Sequence, residues 1–365
     1  MSFRTRRVLF GSPFYAVLDF FILRYLFSLF GGVSDLYTLL IVLILWIIQV
    51  VPMFFEQKKS TKLGRLLSTI FGVWEWFLVM LMIYLIIIFI INFFITVPTG
   101  ITAILLSTIP IIGIYAYYNA HRLVVKERIL EFDELDEEYN IVQLSDVHFG
   151  SIRHKQIIKE VSNKLQELSD TCDLAIISGD LADGSCVVEE GDFMDLKKVN
   201  MPIIFTSGNH DYYPGLENVH KACENAGITI LENEGLEYRN LNVYGLSYSF
   251  SDIQMPTEEE VRSFINEDKI NIVNYHIPNG WKQLSNMGFD IQLSGHTHGG
   301  QFYPVTCLGK YMYEGHNMGL FNERIDGRNH YLHVTTGVGS MDIPMRWGTN
   351  SEIVVLKLRK SDNSQ

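Results

Sequence analysis

Cysteine is scarce, with four residues in 365: Cys172, Cys186, Cys223 and Cys307. None forms a CxxC pair, which excludes a zinc ribbon and a thioredoxin-like redox motif. Free, partly buried thiols in a reducing compartment suit this scatter at least as well as two disulfides. Charge is missing altogether from Tyr37 to Phe55 and from Phe77 to Ala120. Positive charge is also short overall. Residues 1–120 carry eight Lys/Arg against four acids, a net of +4. The whole chain is −12, so the remainder carries −16. So acidic a surface disfavours duplex nucleic acid, which is bound through neutralised phosphates. Small phosphorylated substrates stay open, because bound cations can dominate the local field. No internal repeat or low-complexity tract appears, and no cleavable signal peptide stands out.

The charge-free runs are long enough to cross a hydrocarbon core of ~30 Å as helices. Val97-Pro98-Thr99-Gly100 interrupts the longer run and reads as a turn between two spans. A first candidate span, Val8 to Phe30, contains Asp19 and Arg24, which pair or snorkel on this reading. Glu75, between Trp74 and Trp76, resembles an interfacial belt. This predicts about four transmembrane helices within residues 1–120. Basic residues cluster before the first span (Arg4, Arg6, Arg7), between the second and third (Lys58, Lys59, Lys62, Arg65) and after the fourth (Arg122, Lys126, Arg128). The other two loops have no Lys or Arg, so the basic side is expected to be cytoplasmic. Residues 121–138, basic at first and then acidic through Glu131, Asp133, Glu134, Asp136, Glu137 and Glu138, read as a solvated juxtamembrane linker.

Residues 139–365 form the predicted globular domain. Apolar runs with strand character alternate there with helical spacing. Tyr139–Leu144, Asp173–Ser178, Met201–Thr206, Lys269–Asn274 and Phe289–Ser294 are strands; Ile152–Leu168 and Leu216–Ala226 are helices. Tyr331–Thr335 and Glu352–Leu358 read as strands of a second sheet. The first five strands each run into a metal-type ligand. These are Asp146 and His148, Asp180, Asn209, His276, and the pair His296 and His298. Ligands gather at the carboxyl ends of strands in layered α/β sheets. Three of these turns contain glycine, which lets backbone approach a site closely. Carboxylates, an amide oxygen and imidazoles suit divalent manganese, iron or zinc. Seven ligands are too many for one such ion and about right for two that share a carboxylate.

Asp146-Val147-His148, Gly179-Asp180-Leu181-Ala182-Asp183-Gly184, Gly208-Asn209-His210-Asp211, His276 and Gly295-His296-Thr297-His298 resemble the motifs of the calcineurin-like metallophosphoesterase superfamily. The likeness runs from about Asn140 to Leu358. Gly299-Gly300-Gln301 and the Tyr212-Tyr213 context are similar to its bacterial, often membrane-associated branch. That branch includes general phosphodiesterases and enzymes that cleave UDP-2,3-diacylglucosamine. The resemblance implies a four-layer α-β-β-α sandwich, here behind the helical bundle. It implies one metal on Asp146, His148, Asp180 and His298, and a second on Asp180, Asn209, His276 and His296. Asp180 would bridge, and a hydroxide between the ions would attack phosphorus in line. His210 would stabilise charge or protonate the leaving group. Asp211 has two readings, orienting His210 or holding the turn, and Asp183 is assigned a structural role.

Two departures narrow the class. Relatives acting on phosphoproteins favour Arg after the second motif's acid and Glu after the Asn-His pair. Here Gly184 follows Asp183 and Asp211 follows His210. Ile277-Pro278-Asn279 also stands where relatives often have Pro-Asp. The expectation is a phosphohydrolase in the bacterial cytoplasmic membrane, its catalytic domain on the cytoplasmic side, with two divalent metals, manganese foremost. Its substrate is expected to be a lipid-linked phosphodiester or pyrophosphate such as UDP-2,3-diacylglucosamine. Nucleotide-directed phosphodiesterase action is the alternative, and a catalytically silent membrane scaffold or sensor is a third reading from another class.

Overall fold

The computed structural model describes residues 3–133, 135–250, 255–309, 311–325 and 327–361. Glu134 and residues 362–365 of the predicted segments lie outside them. Four long helices come first: α1 (Phe3–Ser28), α2 (Asp35–Glu56), α3 (Lys62–Asn92) and α4 (Thr99–Ala120). A helix satisfies its own backbone groups, which is what an apolar segment in lipid requires. Polar residues appear where helices begin. Ser34 Oγ accepts from Tyr37 N to cap α2, and Thr61 Oγ1 accepts from Gly64 N to cap α3. All four are long and apolar enough to cross a membrane, including the segment holding Asp19 and Arg24. Those two do not pair. Asp19 accepts from Trp74 Nε1 at 3.1 Å, and Arg24 binds Asp35 at 3.0 Å. Five residues apart on one helix, Asp19 and Arg24 are not on a shared face.

The α2–α3 connection and the end of α4 lie against the rest of the chain. Val187 N donates to the Glu56 carbonyl at 3.2 Å. Asn119 Nδ2 donates to the carbonyls of Arg346 and Thr349 at 3.2 and 2.7 Å. Trp76, Ile109 and Ala116 of the bundle share a buried core with Phe302 and Met345.

Next come β1 (Leu123–Phe132), β2 (Tyr139–Leu144), α5 (His154–Leu168), β3 (Leu174–Ser178), β4 (Ile203–Thr206), α6 (Leu216–Asn225), β5 (Thr229–Ile230), β6 (Glu234–Tyr238), β7 (Leu241–Leu246), β8 (Ile270–Tyr275), β9 (Ile291–Ser294), β10 (Gly319–Ile325), β11 (Arg328–Val334) and β12 (Ser351–Lys360). They form two six-stranded sheets, β1-β12-β2-β3-β4-β5 and β10-β11-β9-β8-β7-β6. Ile141, Ile176 and Ile204 of the first meet Val243, Ile272 and Leu293 of the second in a common core. Their chain neighbours Val142, Ala175, Ile177 and Phe205 face outward, onto Ile158 and Leu165 of α5 and Val219 and Ala222 of α6. Strands covered on both faces read as continuous apolar runs, as these do. Val261 and Leu284, on short helices, cover Tyr244, Val273 and Tyr275 on the far face of the second sheet. The expected α-β-β-α sandwich is present.

Two assignments change. The predicted linker is mostly strand: β1 pairs in parallel with β12 from Leu123↔Ser351 to Phe132↔Lys360. Val125, Glu127, Ile129 and Glu131 are exposed on one face, while Lys126, Arg128, Leu130 and Phe132 on the other are half-buried or buried, the pattern of an edge strand with one wet face. Glu352–Leu358 belongs to the first sheet, since β12 inserts between β1 and β2. There Val354 and Leu356 bury in the core between the sheets.

Candidate metal centre

β2, β3 and β4 are parallel neighbours, as are β7, β8 and β9. Their carboxyl ends therefore emerge together at one edge of the sandwich. The loops after β2 and β3 are zipped by backbone bonds: Asp146 N to Gly179 O at 3.0 Å, His148 N to Asp180 O at 3.1 Å and Phe149 N to Leu181 O at 2.8 Å. Asp146 (φ 51°), His148 (52°), Asp180 (54°), His296 (69°) and His298 (51°) all lie in the left-handed region. Each such residue costs about 1–3 kcal/mol and persists only where its surroundings over-determine it. Glycine makes the room. A Cβ on Gly208 would fall 2.3 Å from Asp180 Oδ1, and one on Gly179 would fall 2.5 Å from His276 Nδ1.

Six of the seven predicted ligands come together at this edge in clusters, and the seventh, Asn209, follows β4 there. Asp146, His148 and His298 converge on one point, and Asp180, His276 and His296 on another. His298 Nε2 lies 3.3 Å from Asp146 Oδ1 and 3.0 Å from His148 Nε2. His276 Nε2 lies 3.1 Å from Asp180 Oδ2 and 3.3 Å from His296 Nδ1. Asp180 Oδ2 also stands 4.0 Å from His148 Nε2, which links the groups through one carboxylate. Asn209 is buried and its Oδ1 has no hydrogen-bond partner, and the same holds for Asp146 Oδ1. Orphaned buried acceptors are costly unless something positive meets them. His276 Nδ1 faces the Ser178 carbonyl at 2.7 Å, which leaves Nε2 for a ligand. The residues thus fit two divalent cations with His and Asp ligands.

Electrostatics agree with that fit. Burial alone would depress the His276 imidazole, but the Asp180 carboxylate overrides it and pushes the pKa up to about 9. Burial and the charge of His276 push His296 down to about 4. Burial opposes ionisation of Asp180, yet His276 and His210 hold its carboxyl below the ordinary range. The pocket draws positive charge to one spot, and a divalent cation supplies that charge without a proton.

His210 lies beside the centre, its ring 4.9 Å from that of His148. Its Nδ1 faces the Asp183 carbonyl at 3.1 Å. Asp211, expected among the catalytic residues, does not orient that ring. Its carboxylate accepts from Asp180 N at 2.9 Å, Ala182 N at 2.8 Å and Gly208 N at 2.8 Å. Those three donors commit it to holding the two loops, so it is a positioning residue. Asp183 accepts from Ser185 N at 2.6 Å, in keeping with the structural role expected of it.

Sequence reasoning missed two features. Arg346 is fully buried, with Nη2 3.3 Å from His298 Nδ1 and 2.7 Å from the Thr336 carbonyl. Its own backbone N donates to Ala116 O of α4 at 2.9 Å, so one residue joins that helix to the centre. The available signal was the glycine-spaced Thr335-Thr336-Gly337-Val338-Gly339 after a strand. The second feature is an aromatic rim: Tyr213 lies 4.9 Å from His210, Tyr313 lies 5.6 Å from His296, and Tyr212, Tyr248 and Phe250 pack together.

Residues 139–300 match the family model of calcineurin-like phosphoesterases. An uncharacterized metallophosphoesterase of Helicobacter pylori is 29% identical over 248 residues, 66% of this chain. The chain spans 65% of the length of that relative. A zebrafish transmembrane protein with a metallophosphoesterase domain is 27% identical over 289 residues, covering 71% of this chain and 63% of that protein. The Bacillus subtilis protein YpbG is 30% identical over 221 residues, covering 58% of this chain and 80% of its own. With the sandwich, the strand-end ligands and these matches together, the chain belongs to the calcineurin-like metallophosphoesterase superfamily.

Proposed function

We propose that this chain is a membrane-anchored phosphohydrolase that splits a phosphodiester or pyrophosphate bond with two divalent metals, manganese foremost and zinc or iron as alternatives. One observation carries the reading: buried carboxylates and imidazole nitrogens converge around Asp180, and the buried Asn209 oxygen of the same strand edge has no hydrogen-bond partner. Asp146, His148, Asp180 and His298 would hold one ion, and Asp180, Asn209, His276 and His296 the other. Two ions bound there would activate water and neutralise the phosphoryl oxygens. The protein's own groups do the rest. His210, with Nδ1 turned to the Asp183 carbonyl, presents Nε2 to the leaving oxygen as proton donor. Asp211 fixes the loops after β3 and β4, so that Asp180 and Asn209 stay aligned. Asn209 completes its half without a further negative charge to repel phosphate.

Residues 1–120 act as the membrane domain and residues 139–365 as the catalytic domain, with β1 tying them together. The basic residues Lys58 and Lys59 lie on the α2–α3 connection and Lys62 and Arg65 in the first turn of α3, next to Glu56 at the end of α2, whose carbonyl contacts Val187 of the catalytic part. By the positive-inside rule that end faces the cytoplasm, which favours the inner leaflet of a bacterial cytoplasmic membrane. A lipid-linked substrate, with UDP-2,3-diacylglucosamine as one member of the class, is favoured by a cavity of about 290 Å³ between bundle and catalytic domain. Gln49, Met53 and Phe71 line its bundle side, and Asp183 and Ser185 its catalytic side. The aromatic rim favours a second reading, stacking of a nucleotide base, because such rings offer a face to any base.

The test is hydrolysis of bis(p-nitrophenyl) phosphate by the full-length protein with manganese, beside Asn209→Ala. The variant is expected to lose on the order of 10²-fold in kcat, the scale for one lost electrostatic contact to the reacting group. Equal activity in the two proteins sinks the two-metal reading. UDP-2,3-diacylglucosamine against a cyclic dinucleotide then separates the two substrate classes.

A further inference from the structure

The chain leaves the Gly295–Gln301 motif through a segment whose exposure differs from the rest of the catalytic part. Phe302 is buried in the core shared with the bundle. Tyr303 packs on Trp347, ring centroids 5.4 Å apart, and donates from its backbone N to the Trp347 carbonyl at 2.9 Å. Beyond it Val305, Cys307, Leu308 and Met312 are exposed, Leu308 at 58%. The segment returns at Asn317, whose carbonyl accepts from Thr297 Oγ1 at 2.5 Å. Among the described residues after 120, six of the eleven exposed large hydrophobic side chains fall between Tyr303 and Met318; the other five are scattered. Scattered apolar residues need no explanation, whereas a concentrated patch marks an interaction surface.

The position of the patch selects its partner. Helix α4 has 22 residues, about 33 Å at 1.5 Å per residue, close to the thickness of a hydrocarbon core. Its last turns therefore lie at a membrane surface, and they carry the exposed Tyr115 and Tyr118, as interfacial belts do. Those same turns hold the loop bearing Trp347: Ala116 O accepts from Arg346 N, and Asn119 binds the carbonyls on either side of Trp347 and Gly348. Tyr303 rests on Trp347 and so shares that level. We propose that the segment from Tyr303 to Met318 seats its apolar side chains in the lipid interface. The mouth of the metal centre, where Tyr313 meets His296, is thereby held against the bilayer. The inference rests on the reading that the four helices span a membrane. It gives the site a surface from which to take lipid-held phosphodiesters.

Cys307 offers a native probe, since Cys172, Cys186 and Cys223 are buried. Full-length protein would be labelled at Cys307 with an environment-sensitive dye and placed in lipid nanodiscs. The expected result is blue-shifted emission that loses most of its intensity when the lipids carry nitroxides near the headgroup, with little loss to aqueous iodide. Leu308→Glu with Met312→Glu should reverse that pattern and leave hydrolysis of soluble bis(p-nitrophenyl) phosphate unchanged. A dye quenched by iodide and not by nitroxide lipid in the parent protein overturns the proposal. Activity is read separately: hydrolysis with a wet dye removes this inference alone, and lipid quenching without hydrolysis removes the enzymatic reading alone.

Discussion

The two sheets supply chemically different halves of the metal centre. Asp146, Asp180 and Asn209 all stand at the ends of first-sheet strands, and the second sheet contributes only imidazoles, His276, His296 and His298. Among the predicted ligands His148 is the one imidazole on the first-sheet side, with His210 beside it. The first half thus supplies the oxygen donors and the second only nitrogen donors. Neither half suffices. The apposition that joins them is made by apolar packing between the sheets, Ile176 and Ile204 against Ile272 and Leu293. Hydrophobic burial, which is non-directional, sets the distance at which directional ligands meet.

This division can be broken by measurement. The largest effect is expected for Asp180→Ala. The shared carboxylate serves both groups, so metal content by elemental analysis should fall for both ions. Turnover should drop at least as far as the roughly 10²–10³-fold seen for loss of one preorganised electrostatic contact. His276→Ala removes a second-sheet donor from one group only. It should cost about one ion, and more than the roughly 10–100-fold in metal affinity that follows loss of a residue that only supports a ligand. Equal metal loss in the two variants would erase the distinction between bridging and terminal halves.

Arg346→Met addresses the join between centre and bundle. It strands the Thr336, Gly339 and Asn350 carbonyls that the guanidinium satisfies in the interior. A loss of about 3 kcal/mol is expected, read as a lower melting temperature in detergent, with weaker metal binding at the His298 group. A melting temperature unchanged from the parent would show that these buried carbonyls do not depend on the guanidinium.

The smallest effect is a pH dependence at the β1–β12 join. Burial alone would raise the Glu352 carboxyl, but Lys126 at 2.7 Å and the Thr336 N–H hold it below the ordinary value. A carboxyl depressed in the folded state stabilises above its unfolded pKa, ~4.3. That stability is lost as pH falls through the folded value. Glu352→Gln should therefore melt below the parent at neutral pH, by about 1–2 kcal/mol. The gap should narrow as pH falls below ~4.3. A gap that stays constant down to acid pH would show that the β1–β12 join owes nothing to this ion pair.

Much of the centre was readable because its chemistry is local. Each ligand follows its strand within one to four residues, so a strand call and a turn signal locate it. The charged segment before β2 reads as a linker because Lys126 and Arg128 suggest solvent, yet both lie on the half-buried face of an edge strand, in line with Leu130 and Phe132. β12 was assigned to the wrong sheet because chain order says nothing of which edge a late strand joins. Arg346 was invisible as a functional residue because a lone arginine reads as surface until burial is known.

By itself the sequence determined the four long apolar helices, the strands that lead into ligands and the identity of every candidate ligand, since apolar period, turn chemistry and donor type are properties of neighbouring residues. Tertiary structure alone decided which donors share a point, that Asp211 holds loops rather than the His210 ring, and that α4 touches the centre through Arg346. Those facts depend on contacts between residues 30 to more than 200 positions apart. Such contacts are set by the packing of whole layers, which no local pattern encodes.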